Sequence, residues 1–451
     1  MTRKIVSGVA LGALLMLVAN LPLAVAQEPP QLAGTPHMLN LAHVWNYDIP
    51  YTGTDLEFFT STVPQRDYTT GELILDEDGN PIPVVKDFAV MGSYGGGAFV
   101  FDITDPMAPQ LARNIPCNQT QNDVQLKKFG DRWLLALAKD GSGNPCVNPK
   151  LFGAAGQAGI AVFDVTDPYD FIKLYSFRTT GGAHNFTFHP TKPFGWVSTG
   201  DLPGALNHIP IIDFTDPDNP KLATDVTGVL GGPHDITFSV DGNRAYVASE
   251  NNWSIWDSTN PAAPTMISRL PNAGTYAHGF DATPDRKYAL GTNESLALGG
   301  FFTGGTEVCP GEGITIFDTT DDTKPVPVGE FEAPVVGTNA SSGAACTGHV
   351  GEIGGPTGRV MVTGWYSGGA RVIDFSNPSL PTEIGHAVMA GANVWTANFY
   401  KGPYIYVGDE LRGFDVFKWT GGPVAPWESA SEPAPDAGSD TSLFELNLAV
   451  R

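Results

Sequence analysis

The sequence predicts an all-β chain that folds as a seven-bladed β-propeller of four-stranded antiparallel blades. The first observation is a repeated segment in which a short apolar strand ends in Asp and is followed, one residue later, by Thr or Ser, then Asp or Asn and, in five of six copies, Pro. The second is the spacing of the strand-ending Asp residues, 44 to 62 residues, which is typical of propellers and solenoids. The third is that one copy lies in a stretch that divides into four strands. The copies are FVFDITDPMAP (99–109), AVFDVTDPYD (161–170), IIDFTDPDNP (211–220), SIWDSTNPAAP (254–264), TIFDTTDDTKP (315–325) and RVIDFSNPSLP (371–381), with a worn seventh, FDVFKWTGGP (414–423).

The chain begins with the pattern of a secretory signal peptide over residues 1–26. Arg3 and Lys4 precede an apolar run over residues 5–18, and Ala24-Val25-Ala26 is a small-residue cleavage site. No later stretch has the roughly 18 to 20 uninterrupted apolar residues of a membrane-spanning helix. We therefore expect an exported protein (secreted, periplasmic or at the cell surface) without membrane insertion. Residues 27–37 are expected to be a linker.

The propeller is expected to occupy residues 38–422 and to close its ring through its N-terminus. The last blade has three strands, NVWTANFY, YIYVG and FDVFKW, but the segment after them is rich in Pro, Ala, Ser and Glu. A spare apolar segment, MLNLAHVWNY (38–47), precedes DLEFFTS (55–61), the first strand of the first blade. We predict that residues 38–47 complete the last blade, because an unpaired edge would otherwise remain exposed.

One repeat, residues 234–270, shows how a blade is built. It contains four short strands, and Asp241-Gly242 between the first two is typical of a hairpin turn. The Thr-Asp-Pro segment follows the third strand. Asp and Asn accept local backbone N–H groups, and Pro presets φ and cannot continue a strand, so this segment is predicted to reverse the third strand into the fourth.

Long loops gather on one face of the predicted ring, which is usual for the binding face of a repeat scaffold. This loop-rich face carries the connections 139–158, 199–208, 292–313 and 333–348.

Residues 423–451 are expected to form a C-terminal tail, flexible to about residue 440, with LFEL (443–446) docking on the body.

The four cysteines all fall on the loop-rich face, an even number in a compartment where disulfides persist. The blade register favours two pairs, Cys117 with Cys146 and Cys309 with Cys346.

The formal net charge is −23, and it becomes −25 without Arg3 and Lys4. Such a surface repels phosphate backbones and anionic lipid, so nucleic acid is excluded as a partner. A monomer is expected.

Four histidines provide the only chemical constellation of the sequence. Each begins the innermost strand of a blade, in four successive blades; they are His184, His234, His278 and His349. The matching positions of the second and seventh blades are Asn122 or Asp123, and Asn393. Imidazole is a common ligand of copper, zinc and iron, and three carboxylates lie near enough in sequence to support it, namely Asp235, Asp281 and Glu352.

Three interpretations of these histidines remain open. A residue that recurs once per blade is most simply a packing device, hydrogen-bonded to the backbone or an Asp of the neighbouring blade. The second interpretation is a metal or polar-ligand ring at the channel mouth, with copper or zinc as the expected ion. The third is acid–base catalysis, although no catalytic residue can be named and no G-x-S-x-G or H-E-x-x-H motif occurs.

The repeated strand and turn resemble the LVIVD-repeat family, over roughly residues 38–422. This resemblance implies an exported β-propeller, without implying an activity. A fainter similarity, in the Asp-Ile-Ser/Thr-Asp-Pro turn, is to the selenium-binding protein and methanethiol oxidase propellers, which are linked to copper chemistry.

The sequence supports two functions. The first is an exported binding module that presents its loop-rich face to a protein, glycan or small ligand. The alternative is a metal-dependent, copper-type oxidoreductase with a His-lined site at the channel mouth. Whether the chain is an enzyme is left open, with non-enzymatic binding favoured, because propellers host both kinds of function.

Overall fold

The computed structural model describes residues 36–117, 121–139, 146, 149–151, 159–179, 182–200, 207–271, 276–294, 312–334 and 346–428. Within these ranges the protein has thirty β-strands, one 3-10 turn at Pro168–Asp170 and no α-helix. The described part therefore offers no helix of the length and apolar character that a membrane crossing requires. The predicted signal peptide and most of the predicted linker lie outside the described residues.

The strands form seven four-stranded antiparallel blades, as the repeats predict. Blade one is β3 (Thr52–Pro64), β4 (Pro83–Tyr94), β5 (Gly97–Asp102) and β6 (Gln110–Ile115). Blade two is β7 (Gln121–Phe129), β8 (Arg132–Lys139), β10 (Gly159–Asp164) and β11 (Ile172–Arg178), with β9 (Pro149–Leu151) added beside β11. Blade three is β12 (Asn185–Phe188), β13 (Phe194–Ser198), β14 (His208–Asp213) and β15 (Lys221–Thr227).

The remaining blades have the same order. Blade four is β16 (Pro233–Phe238), β17 (Arg244–Ser249), β18 (Asn252–Asp257) and β19 (Thr265–Pro271). Blade five is β20 (Ala277–Ala282), β21 (Tyr288–Asn293), β22 (Ile314–Asp318) and β23 (Val326–Phe331). Blade six is β24 (Val350–Gly354), β25 (Val360–Gly364), β26 (Ala370–Asp374) and β27 (Thr382–Val388). Blade seven is β28 (Val394–Phe399), β29 (Tyr404–Asp409) and β30 (Gly413–Trp419), completed by β2 (Leu41–Tyr47).

The repeated Asp ends the third strand of each of the first six blades by the predicted turn chemistry. In every copy its carboxylate accepts the backbone N–H two residues later, at 2.7 to 3.0 Å. The side chain thus provides an acceptor where the strand ladder stops, and the chain reverses into the outer strand. The predicted hairpin turn of blade four is confirmed as well, since Gly242 adopts a φ of +68° that favours glycine.

The N-terminal segment closes the ring. β2 pairs antiparallel with β30, from Leu41 opposite Trp419 to Tyr47 opposite Phe414. His43 Nε2 lies 2.7 Å from Asp415 Oδ1. The prediction is confirmed for the main part of the segment but differs at its start. The short β1 (His37–Leu39) pairs with β27, the outer strand of blade six, so one segment covers two blade edges.

The hydrophobic core lies between neighbouring blades. Phe101 of blade one stacks on Phe414 of blade seven with ring centroids 4.3 Å apart, and Trp45 of β2 packs edge-on against Phe101. Polar side chains of several innermost strands also join one blade to the next blade's backbone. These inter-blade bonds include Thr187 Oγ1 to Ile236 O at 2.6 Å, Thr237 Oγ1 to Phe280 O at 2.6 Å and Asn398 Nδ2 to Leu56 O at 3.1 Å.

The start of the predicted C-terminal tail is packed on the ring. Ala425 and Trp427 are buried, and Trp427 contacts Trp419 and donates its indole N–H to Gly402 O at 3.1 Å. An indole buries a large apolar surface, which explains why the chain stays on blade seven here. The packed unit thus continues past the predicted boundary at residue 422. The LFEL segment lies outside the described residues.

Candidate metal centre

The four histidines begin the innermost strands of blades three to six, as predicted, and the fold brings them side by side. At His234 and His278 the innermost strand contains a β-bulge, because the register with the second strand skips that residue. A bulge re-aims a side chain that would otherwise follow the strand alternation. The ring centroids are 4.1 Å apart for His184 and His234, 4.3 Å for His234 and His278, and 3.9 Å for His278 and His349.

Backbone carbonyls fix the tautomer of two of these imidazoles. His234 Nδ1 lies 3.2 Å from His278 O, and His349 Nδ1 lies 2.8 Å from Trp395 O. A carbonyl oxygen only accepts, so each Nδ1 carries the hydrogen and each Nε2 keeps its lone pair in the neutral ring. Burial lowers the pKa of His234 and His278, and it lowers the pKa of His349 to about 3. The three rings are therefore neutral at physiological pH.

Glu294 joins this group from the second strand of blade five. It follows Asn293, the last residue of β21, and it is 4% exposed. Its Oε2 lies 3.8 Å from His278 Nε2, and its Oε1 lies 3.9 Å from His349 Nε2. One nitrogen each of His234 and His278 and one oxygen of Glu294 all lie within 4.8 Å of one another.

The chemistry of this donor set suits a transition-metal ion. Two donors of a tetrahedral zinc ion at about 2.0 to 2.1 Å are about 3.4 Å apart, so the His278–Glu294 pair is within a few tenths of an ångström of that spacing. Neutral imidazole nitrogens with a carboxylate oxygen suit zinc, iron and copper. His278 Nδ1 is buried and finds no hydrogen-bond partner within the described part of the chain. We refer to His234, His278 and Glu294 as the candidate metal centre, which His349 adjoins.

Sequence reasoning missed Glu294, although a signal for it exists. A glutamate directly follows the second strand in blades four, five and seven, at Glu250, Glu294 and Glu410.

The register prediction for blade seven also differs from the structure. The bulged residue there is Trp395, where the sequence placed Asn393. Trp395 packs on His349 with ring centroids 4.4 Å apart and so ends the row of imidazoles.

Two of the three predicted supporting carboxylates, Asp235 and Asp281, interact with each other, and the third, Glu352, lies between blades six and seven. Asp235 accepts a hydrogen bond from Asn185 Nδ2 at 3.1 Å and is close enough to His184 for their charges to interact. Burial, followed by the nearby charge of Asp235, raises the pKa of Asp281. Glu352 is buried and accepts the backbone N–H of Phe399 at 3.1 Å, which makes it part of the contact between blades six and seven.

A second group of acids lines the channel in blades one and two. Asp55 and Asp123 are buried and hydrogen-bonded to each other. Burial raises the pKa of Asp55 to about 7, and burial together with the charge of Asp55 raises that of Asp123. Two carboxyl groups can share a hydrogen bond only if one of them holds a proton. This pair therefore carries at least one proton near neutral pH.

The predicted disulfide of blade two is present, between Cys117 and Cys146. Cys346 is disulfide-bonded as well, and Cys309, its expected partner, lies outside the described residues.

Much of each long loop of the loop-rich face is also outside the described residues. The described ends of these loops meet the histidine ends of the innermost strands, as in the backbone bond from Glu294 N to Tyr276 O at 2.8 Å.

Comparison with known families agrees with the repeats seen in the sheets. The family model for the LVIVD repeat matches residues 235–270 and 354–387. These two segments correspond to most of blades four and six. The chain contains LVIVD repeats and folds as a β-propeller.

Among solved structures the chain is similar to the β-propeller domain of Cps50 (Swd1) from Myceliophteria thermophila, with 11% sequence identity and a TM-score of 0.48 over 74% of this chain and 93% of that chain. No match was found among curated proteins.

Proposed function

We propose that this propeller is an exported binding module whose binding centre is a transition-metal ion held at the loop-rich end of the channel by His234, His278 and Glu294. The observation that carries the proposal is the convergence of two neutral imidazoles and a carboxylate from different strands within 4.8 Å. Three protein ligands leave a coordination position for a small ligand, as in zinc sites that bind substrate or water. Export rests on the N-terminal signal pattern and on the Cys117–Cys146 disulfide.

The packing interpretation and the metal interpretation use different imidazole nitrogens, and in His349 both kinds of contact occur in one ring. Nδ1 of His234 and of His349 bonds to the next blade's backbone, as a packing device requires. Nε2 of His278 and of His349 faces Glu294, as a metal ligand requires. A histidine whose second nitrogen is fixed by a backbone carbonyl is the usual arrangement of a metal-binding imidazole.

Elemental analysis of the purified mature protein tests the proposal. We expect about one zinc or copper ion per chain after loading and exhaustive dialysis, and loss of that ion in Glu294→Gln and in His278→Ala. His37→Gln is the matched control, because His37 is exposed on β1, far along the chain from the centre. Retention of no ion by the wild type, or full retention by both centre variants, would overturn the proposal.

The number of imidazoles favours a second candidate, a copper-type oxidoreductase at the same centre. His349 Nε2 faces the same carboxylate as His278 Nε2 and offers a third imidazole. Imidazole-rich sites suit copper, which exchanges single electrons with small substrates. Oxygen consumption by the copper-loaded protein with a panel of small reductants, absent in Glu294→Gln, is the expected result. If the copper-loaded wild type consumes no oxygen, the oxidoreductase function is wrong and only the binding function is still supported.

A further inference from the structure

Tyr366 stands beside the candidate metal centre in an unusual backbone conformation. It lies in the tight turn between β25 and β26, with a φ of +44°, a region that non-glycine residues rarely occupy. Two backbone hydrogen bonds to Val394, one in each direction and both 2.9 Å, hold the turn against the innermost strand of blade seven. Such strained positions persist where the surrounding structure over-determines them, and they cluster at functional sites.

The phenol of Tyr366 is directed at the ligand set. The side chain is 1% exposed, and its ring packs on His349 with centroids 4.5 Å apart. Its hydroxyl donates a hydrogen bond of 2.6 Å to Glu294 Oε1. Burial and the charge of Glu294 raise the pKa of Tyr366, which keeps the hydroxyl a donor.

This contact divides the two oxygens of Glu294 between different partners. Oε1 is engaged by the phenol, whereas Oε2 is the oxygen 3.8 Å from His278 Nε2. A carboxylate that is hydrogen-bonded through one oxygen presents the other to an ion in a fixed direction. Without the hydroxyl, Glu294 would lose a hydrogen bond of 2.6 Å that helps to set the rotation of its terminal bond.

We propose that Tyr366 is the positioning residue of the candidate metal centre: its hydroxyl holds Glu294 through Oε1 so that Oε2 is presented to an ion shared with His234 and His278. The inference rests on the metal centre proposed above. It adds a residue from the neighbouring blade, so that the centre is assembled by blades four, five and six together. Through Oε2, Glu294 would contribute one oxygen to an ion held at this centre.

The test is a titration of the metal-free mature protein with Co²⁺, whose visible absorption reports the ligands around the ion. Tyr366→Phe removes only the hydroxyl, and we expect the affinity for Co²⁺ to fall about 10- to 100-fold, with a changed absorption spectrum of the bound ion. Tyr400→Phe is the matched control. Tyr400 is also buried and loses a comparable bond, 2.7 Å to Thr60 Oγ1, away from the centre. The melting temperatures of both metal-free variants check that each is folded.

The outcomes separate the two proposals. If the wild type and Tyr400→Phe bind Co²⁺, Glu294→Gln does not, and Tyr366→Phe matches the wild type in affinity and spectrum, the positioning role is wrong and the metal centre stands. If the wild type itself binds no Co²⁺, Zn²⁺ or copper, the centre is wrong and the role of Tyr366 falls with it. If the affinity for Co²⁺ falls only in Tyr366→Phe and in the variants of the centre, the result supports both the metal centre and the positioning role of Tyr366.

Discussion

Asp55, which is buried beside Asp123, should make the stability of this protein depend on pH. The pKa of Asp55 is raised from 3.8 to about 7, mainly by burial. The folded protein therefore holds a proton that the unfolded chain releases near pH 4. Stability from this group is fully present below about pH 4 and is lost as the pH rises towards 7, because the unfolded state then binds fewer protons than the folded state.

Replacing Asp55 by Asn removes this charge while keeping a donor for Asp123. We expect Asp55→Asn to be more stable than the wild type by about 1 to 3 kcal/mol at pH 8 and nearly equal to it at pH 4. Urea unfolding at several pH values measures the difference. Asp131→Asn, at an exposed turn, is the control and should show no such trend. A wild type that gains stability steadily from pH 4 to 8 relative to Asp55→Asn would contradict the prediction.

At the scale of the strands, the inter-blade hydrogen bonds of the innermost strands should contribute measurably to stability. Thr237 Oγ1 donates to Phe280 O at 2.6 Å, and both groups are buried. Thr237→Val keeps the shape of the side chain but leaves the carbonyl without this donor. We expect a loss of about 1 to 3 kcal/mol in the free energy of unfolding. Thr265→Val, on the exposed outer strand of the same blade, should change it by less than about 0.5 kcal/mol.

The loops attached to these strands carry the disulfides. We expect non-reducing peptide mapping to find Cys117 joined to Cys146 and Cys309 joined to Cys346. In the chain-entropy model each bond contributes roughly 3 to 4 kcal/mol. A Cys117→Ala, Cys146→Ala double variant should therefore melt at a lower temperature while retaining the candidate metal centre, which lies in other blades. A peptide that links Cys117 or Cys146 to a cysteine of blade five or six would contradict this pairing.

At the scale of the whole molecule, the ring depends on its N-terminal strand. β2 supplies the fourth strand of blade seven, and the His43–Asp415 contact and the burial of Leu41 hold it there. Deleting residues 27–47 should destabilise the entire propeller, because the β30 edge and the apolar surface between blades seven and one would be exposed. Thermal unfolding of the deleted chain, compared with a chain shortened only by residues 27–35, measures the effect. Equal melting temperatures would show that β2 does not close the ring.

The sequence by itself determined the repeats, and through them the fold. In the first six blades the Asp at the end of the third strand accepts the N–H two residues away, and strands show period-2 alternation, so both features can be recognised from the linear chain. The same register placed His234, His278 and His349 at equivalent positions of successive blades. It also identified 38–47 as the closing segment, although not the pairing of His37–Leu39 with blade six.

Only the tertiary structure decided which side chains meet. Glu294 directly follows a second strand, and Tyr366 comes from a turn of the next blade, 72 residues away, so only the packing of blades five and six brings the two together. The bulges at His234 and His278 shift their side chains by a single residue of register, which alternation alone does not foresee. Repeats are set by local turn chemistry, whereas a site between blades is set by how the blades pack around the channel.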